Sequence, residues 1–119
     1  MIKPQTIVNA ADNCGATKLM CIRVLGANKK QTASIGNVII AVVKEAIPKM
    51  TVKKAEIVIA IVVRTTTKTQ LNDGTTISFN ENAVVIINKD GTPKGTRIFG
   101  VILEEWSTPS ILTIAEEVL

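Results

Sequence analysis

Short runs of aliphatic residues alternate with polar turns along most of this 119-residue chain. Isoleucine occurs 17 times and threonine 14 times, and β-branched side chains of this kind favour extended backbone. Closely spaced turns between short strands favour a closed barrel over strand–helix–strand units. The pattern predicts extended segments at residues 6–11, 18–25, 37–46, 56–67, 75–79, 83–88 and 97–103.

Local signals mark the turns and the tail. Asp12-Asn13-Cys14-Gly15 predicts a turn, and Asn72-Asp73-Gly74 predicts a hairpin whose Asp-Gly pair suits type I′ geometry. At Thr108-Pro109 an N-cap residue precedes a proline at the first helical position. The apolar residues that follow fall on one helical face and predict a short C-terminal helix packed on the barrel; they are Ile111, Leu112, Ala115, Val118 and Leu119.

Charge divides the chain between the barrel and the tail. Residues 1–103 hold all 14 basic residues and six acidic ones, a net charge of +8, whereas residues 104–119 hold four glutamates and no base. A basic body indicates a polyanionic partner. We therefore predict a single domain, with a basic β-barrel at 1–103 and an acidic helical tail at 104–119 packed on it.

The segment 44–54 joins the two most hydrophobic predicted strands. It carries Lys44, Lys49, Lys53 and Lys54 around Pro48. A basic hairpin tip can extend from a barrel into an RNA groove, and it can equally be a solvated loop. The sequence alone leaves both interpretations open.

Composition excludes most catalytic and metal chemistry. The chain has no histidine, so histidine acid–base catalysis and a Cys/His zinc site are both excluded. Cys14 and Cys21 lie too far apart along an extended segment to form a disulfide, and we expect two reduced thiols. The segment 91–96 lacks the strand–loop–helix context of a phosphate loop. We expect no enzyme activity, no cofactor, no metal, no membrane span and no secretory signal.

Few aromatic side chains are available to stack on bases. Phe79, Phe99 and Trp106 are the three aromatic residues, and we expect all three to pack in the core or the tail. Single-strand binders of the OB type rely on stacking, so such a function is disfavoured. Contacts to phosphates and 2′-hydroxyl groups, which follow the shape of a folded RNA, remain.

Several long motifs, in order, resemble the universal large-subunit ribosomal protein L-fourteen family in its bacterial and organellar form. The early motifs are Gln5-Thr6, Asn9, Ala11-Asp12-Asn13, Gly15-Ala16, residues 20–26, residues 44–48 and Val52-Lys53-Lys54. The family signature reads here as Ala60-Ile61-Val62-Val63, Asp73-Gly74, Phe79, Asn82 and Val85-Ile86. Residues 95–100 and Glu117-Val118-Leu119 complete the match.

The resemblance implies a five-stranded OB-like barrel with a protruding β-ribbon and a short C-terminal helix. It implies a structural constituent of the large ribosomal subunit that binds large-subunit rRNA. It also implies a place at the subunit interface, with small-subunit rRNA contacted in an intersubunit bridge. The protein partners it implies are large-subunit proteins L-nineteen and L-three and a ribosome silencing factor docking near Thr96, Arg97 and the C-terminal helix.

The tail departs from the family pattern. The stretch 101–110 is shorter than usual, and Glu104 and Glu105 stand where the family carries basic residues. An acidic tail repels phosphate, so we predict that it faces protein or solvent. The isoleucine-rich composition fits an AT-rich genome, and with no visible presequence we expect an organelle-encoded copy rather than a bacterial one.

The candidate RNA contacts are basic side chains outside the predicted core, and Arg23 and Arg64 in particular should leave the core face of their strands. Thr96 and Arg97 are the candidates for subunit or factor contacts. The rival functions are an OB-type single-strand binder and a protein-only interaction module. The full set of candidate RNA contacts is Lys18, Arg23, Lys29, Lys30, Lys44, Lys49, Lys53, Lys54, Arg64, Lys68, Lys94 and Arg97.

Overall fold

The structure is a computed structural model and describes residues 2–25, 32–48, 52–103 and 109–119. The predicted closed barrel is confirmed, as are its five strands. They follow one another around the barrel as β1 (Ile7–Ala10), β2 (Ala16–Val24), β3 (Val38–Ala46), β4 (Ile57–Arg64) and β7 (Ala83–Ile87). Neighbours are antiparallel except at the closure, where β1 pairs parallel with β7 and Asn9 lies opposite Ala83.

Two hydrophobic cores lie on opposite sides of β4 and β7. The barrel interior is filled by alternate residues such as Leu19, Ile39 and Ile86, all fully buried. A second core covers the outside of these two strands. Burial on both faces explains why β4 and β7 are almost continuously apolar in sequence instead of alternating. The residues of the second core are Ala11, Ile61, Val63, Ala83, Val85, Ile98, Ile102 and Ile111.

The C-terminal part contains one helical turn followed by a strand, in place of the predicted helix. After β8 (Ile98–Ile102), a single helical turn, α1 (Pro109–Leu112), leads to β9 (Ala115–Val118), which pairs parallel with β8. The prediction of one packed helical face through Leu119 is therefore wrong. Isolated helices this short are unstable in water, whereas β8 offers an open row of hydrogen-bonding groups. Among the described residues, no helix has the length and apolarity needed to cross a membrane.

A small ribbon stands apart from the barrel. It consists of β5 (Thr69–Gln70) and β6 (Thr76–Ile77). The predicted hairpin is present, because the amide of Gly74 donates to the carbonyl of Leu71 at 3.0 Å. Its predicted type I′ geometry is wrong. Gly74 has a φ of +89° but Asp73 has no positive φ, which fits a three-residue loop with glycine in the left-handed position.

Candidate nucleic-acid interface

The turn 12–15 organises one end of the barrel. The amide of Ile47 donates to the carbonyl of Gly15 at 2.7 Å, and the amide of Val52 donates to that of Cys14 at 3.2 Å. Both ends of the segment that links β3 to β4 therefore fold against this turn. The loop after β7 lies at the same end of the barrel. We call the surface formed by residues 12–18, 44–48, 52–56 and 88–97 the basic end.

A β-bulge turns two lysines of the basic end outward. In the pairing of β2 with β3, Lys18 lies opposite Glu45, and the next pair is Leu19 with Val43. Lys44 is thus an extra residue on β3. Because a bulge interrupts the in–out alternation of a strand, Lys44 and its neighbour Glu45 are both exposed, as is Lys18.

Lys53 and Lys54 reach the same surface from the segment before β4. The residue after them, Ala55, has a φ of +70°, and its amide donates to the carbonyl of Val43 at 2.8 Å. This contact holds the segment beside the bulged end of β3, and both lysines are exposed. Four of the predicted RNA-binding lysines are thus gathered around one corner of the barrel.

The segment that carries Thr96 and Arg97 is fixed to the turn 12–15. The side-chain oxygen of Asn13 accepts hydrogen bonds from the amides of Thr96 at 2.9 Å and Arg97 at 3.1 Å. The Asn13 amide group donates to the hydroxyl of Thr96 at 2.9 Å. Both residues of the segment are exposed, and the Arg97 guanidinium lies over the Phe99 ring, 5.6 Å from its centroid. Such a cation–π contact limits the directions in which the guanidinium can point.

Arg64 leaves the barrel interior, as predicted, but it is covered there and so is poorly placed for the predicted RNA contact. Its residue is only 8% exposed, and its guanidinium donates to the carbonyls of Phe99 at 2.8 Å and Val101 at 3.3 Å and to the Glu81 carboxylate at 2.9 Å. A bulge at Val63 turns it outward from the barrel, but β8 covers it there. Arg64 is therefore a structural residue. It makes the one salt bridge found among the described residues, so none of the four lysines is held there in a close ion pair, although Glu45 lies opposite Lys18.

The other predicted contacts are more scattered. Lys94 is half-buried at the basic end, whereas Arg23 on β2 and Lys68 before β5 are exposed towards the opposite end. Arg23 and Lys68 therefore do not cluster with the four lysines. Three further candidates, Lys29, Lys30 and Lys49, lie outside the described residues. So do Glu104 and Glu105, the acidic residues at which the tail departs from the family pattern.

A buried carboxyl group lies beneath the basic end. One oxygen of Asp12 accepts from the Cys14 thiol at 3.0 Å and the other from the Ile86 amide at 3.2 Å. Burial raises the pKa of Asp12 although these hydrogen bonds oppose the rise. Burial and the neighbouring carboxyl group raise the pKa of the Cys14 thiol to about 12. Both Cys14 and Cys21 are buried and free, as predicted.

Asp12 should make the stability of the protein depend on pH. Because the folded state holds the Asp12 proton more tightly than the unfolded chain, the free energy of unfolding should fall as the pH rises from the ordinary value of 3.8 through the folded-state pKa. Asp12→Asn is neutral and similar in shape, so it should lack this fall. Urea unfolding of both proteins between about pH 3 and pH 7 measures the difference. Parallel pH profiles would contradict the prediction.

Two residues of this surface were missed from the sequence. Asn13 was assigned only to a turn, and no local signal places it beside residues 83 positions later. Phe99 was expected in the core or tail but is 44% exposed, and it lines a groove together with Ile47. What the basic end offers chemically is a set of fixed exposed cations, which suits a polyanion.

Comparison with models of protein families gives a match over the whole chain. A family model described as ribosomal protein L14p/L23e matches residues 1–119, the full length of the chain. The match therefore includes the barrel, the ribbon and the divergent tail.

Proposed function

The chain belongs to the ribosomal protein L14p/L23e family, a family of structural, non-enzymatic proteins of the large ribosomal subunit, and we propose that it binds large-subunit rRNA directly through the basic end. Family membership gives it ribosomal RNA and ribosomal proteins as partners in translation. The observation that carries the proposal is the gathering of Lys18, Lys44, Lys53 and Lys54 at one corner of the barrel. Cations on a rigid β framework fit phosphates at set positions.

The mode of recognition follows from which side chains are exposed. Lysines act as point charges towards phosphates, and the exposed threonine hydroxyls of this surface suit 2′-hydroxyl groups. We include Arg23, Lys68 and Lys94 as further contacts, together with Lys29, Lys30 and Lys49 from the sequence. Arg64 is left out because it is only 8% exposed and its guanidinium donates to three groups within the protein.

A second part of the proposal concerns the subunit interface. Thr96 and Arg97 are exposed on a fixed segment, which supports a contact with small-subunit rRNA in an intersubunit bridge. The same residues would contact a ribosome silencing factor, and neighbouring large-subunit proteins such as L-nineteen and L-three would cover other surfaces. An organelle-encoded copy is proposed over a bacterial one because of the isoleucine-rich composition.

Sedimentation of native lysate tests the proposal as a whole. The lysate is run through a sucrose gradient containing magnesium, and fractions are blotted for this chain. We expect co-migration with large subunits and whole ribosomes that is lost only when high salt or EDTA disrupts the particles. A signal confined to the top of the gradient would favour a free interaction module instead.

A further inference from the structure

We propose that Asn13 is the positioning residue for the Thr96–Arg97 contact, holding this segment in the shape that its partner recognises. The inference rests on the proposed function of Thr96 and Arg97. It assigns to Asn13 a role that is exerted through Thr96 and Arg97, to which its side chain is bonded.

Asn13 uses both polar atoms of its side chain on one short segment. Its oxygen accepts from two consecutive amides, at 2.9 and 3.1 Å, and its nitrogen donates to the Thr96 hydroxyl at 2.9 Å. Two consecutive amides directed at one oxygen fix the backbone of both residues. The segment belongs to an exposed loop, and exposed loops tend to sample several conformations. These hydrogen bonds hold it in one of them.

The segment leaves room for the Asn13 side chain because residue 95 is a glycine. A Cβ built on Gly95 would lie 2.7 Å from the Asn13 side-chain oxygen and 3.3 Å from the Cβ of Asp12. Side-chain carbons do not approach an oxygen this closely without displacement. Glycine at position 95 therefore lets the segment lie against the turn.

Asn13 is itself carried by a rigid part of the barrel. Its neighbour Asp12 is buried and accepts from the Ile86 amide, and the carbonyl of Ala11 accepts from the Phe99 amide at 2.6 Å. Phe99 in turn lies under the Arg97 guanidinium. The segment is thus tied to the barrel on both sides of Arg97, by Asn13 before it and by Phe99 after it.

The expected effect of losing Asn13 is a loss of preorganisation with the contact residues still present. A segment that must be ordered on binding binds more weakly than one held in its bound shape. We expect Asn13→Ala to weaken the association of large with small subunits by about 10-fold, comparable to Arg97→Ala. The loss should appear with Thr96 and Arg97 intact.

The test uses large subunits that each carry one variant of the full chain, with association to small subunits followed by light scattering over a range of magnesium concentrations. Asn13→Ala, Arg97→Ala and the double variant form a cycle. We expect the double variant to be no weaker than Arg97→Ala alone. Asn37→Ala is the matched control, because Asn37 orders a loop outside the basic end by accepting from the Ser34 amide and should leave association unchanged.

A second variant and a second measurement guard against a misfolded Asn13→Ala protein. Gly95→Ala should reproduce the loss by pushing the segment off an intact Asn13. In both variants, hydrogen exchange at the amides of Thr96 and Arg97 should accelerate while the barrel amides remain protected.

Each outcome bears on one proposal. If Arg97→Ala weakens association but Asn13→Ala and Gly95→Ala do not, or if the effects of Asn13→Ala and Arg97→Ala simply add, the positioning role is overturned and the Arg97 contact stands. If Arg97→Ala has no effect, the contact proposed for Thr96 and Arg97 fails, and the positioning role falls with it.

Discussion

Replacing Arg64 with leucine should lower the free energy of unfolding by about 3 kcal/mol, a large share of the roughly 5–15 kcal/mol typical of a domain. The guanidinium donates to the carbonyls of Phe99 and Val101, so it anchors β8 to the end of β4. Hydrogen bonds to a charged group contribute about 1.5–3 kcal/mol each, and the longer of these two contributes less. Leucine keeps much of the packing volume and provides no donor.

The ion pair itself contributes little to this expectation. The Glu81 side chain is 44% exposed, so its carboxylate stays hydrated when Arg64 is lost. The steric fit of the guanidinium matters more. A Cβ built on Gly100, which has a φ of +81°, would lie 2.5 Å from the nearer guanidinium nitrogen. The guanidinium thus occupies space that only a glycine at position 100 leaves free.

Urea unfolding of the full chain measures the effect, and Arg23→Leu is the matched control. Arg23 is an exposed arginine on β2, and surface changes of this kind usually shift stability by less than about 0.5 kcal/mol. Equal, small shifts in both variants would show that the contacts of Arg64 do not hold β8. A loss of protection confined to amides of β8 and β9 would show that only the outer sheet depends on them.

The second large effect concerns RNA. Changing Lys18, Lys44, Lys53 and Lys54 together to glutamine should weaken binding to protein-free large-subunit rRNA by about 100-fold or more near 0.1 M salt. The slope of log affinity against log salt should become shallower by up to about four, since each phosphate contact contributes nearly one unit. The fold should survive, because all four side chains are exposed.

The control neutralises Lys3, an exposed lysine outside both the basic end and the predicted set. If binding depends on the basic end, the loss per charge removed should be clearly smaller in the control. Equal losses per charge would indicate diffuse attraction and no defined interface. Binding that does not respond to salt at all would favour the protein-only interaction module.

The barrel strands were predictable because their signals are local. Apolar runs bounded by turn residues placed β3 and β7 within one residue of their observed ends. The tail was not predictable in the same way. Thr108-Pro109 carries a helix-start signal, yet the pairing of Ala115 with Ile98 and of Val118 with Ile102 makes β9 a strand. Tertiary hydrogen bonds overrode a local preference.

The site was predicted as a set of residues but not as an arrangement. Charge and the family resemblance pointed to Lys18, Lys44 and Arg97. Their exposure was predictable because charged side chains usually lie at the protein surface. Arg64 was predicted to contact RNA but is covered by β8. Neither this cover nor the bulge at Val63 produces a local sequence pattern from which it could be predicted. Asn13 was missed for the same reason, since its partners lie far along the chain.

The parallel closure between β1 and β7 constrains the order of events during synthesis of the chain. Asn9 and Ala10 pair with Ala83 and Val84, so a nascent chain cannot close its barrel until Val84 has been synthesised. Until then the run Ile57–Val63 has no interior to enter. It contains no charge and no proline, the composition that promotes intermolecular strand pairing. We therefore expect that chains released from the ribosome before β7 has been synthesised require a chaperone.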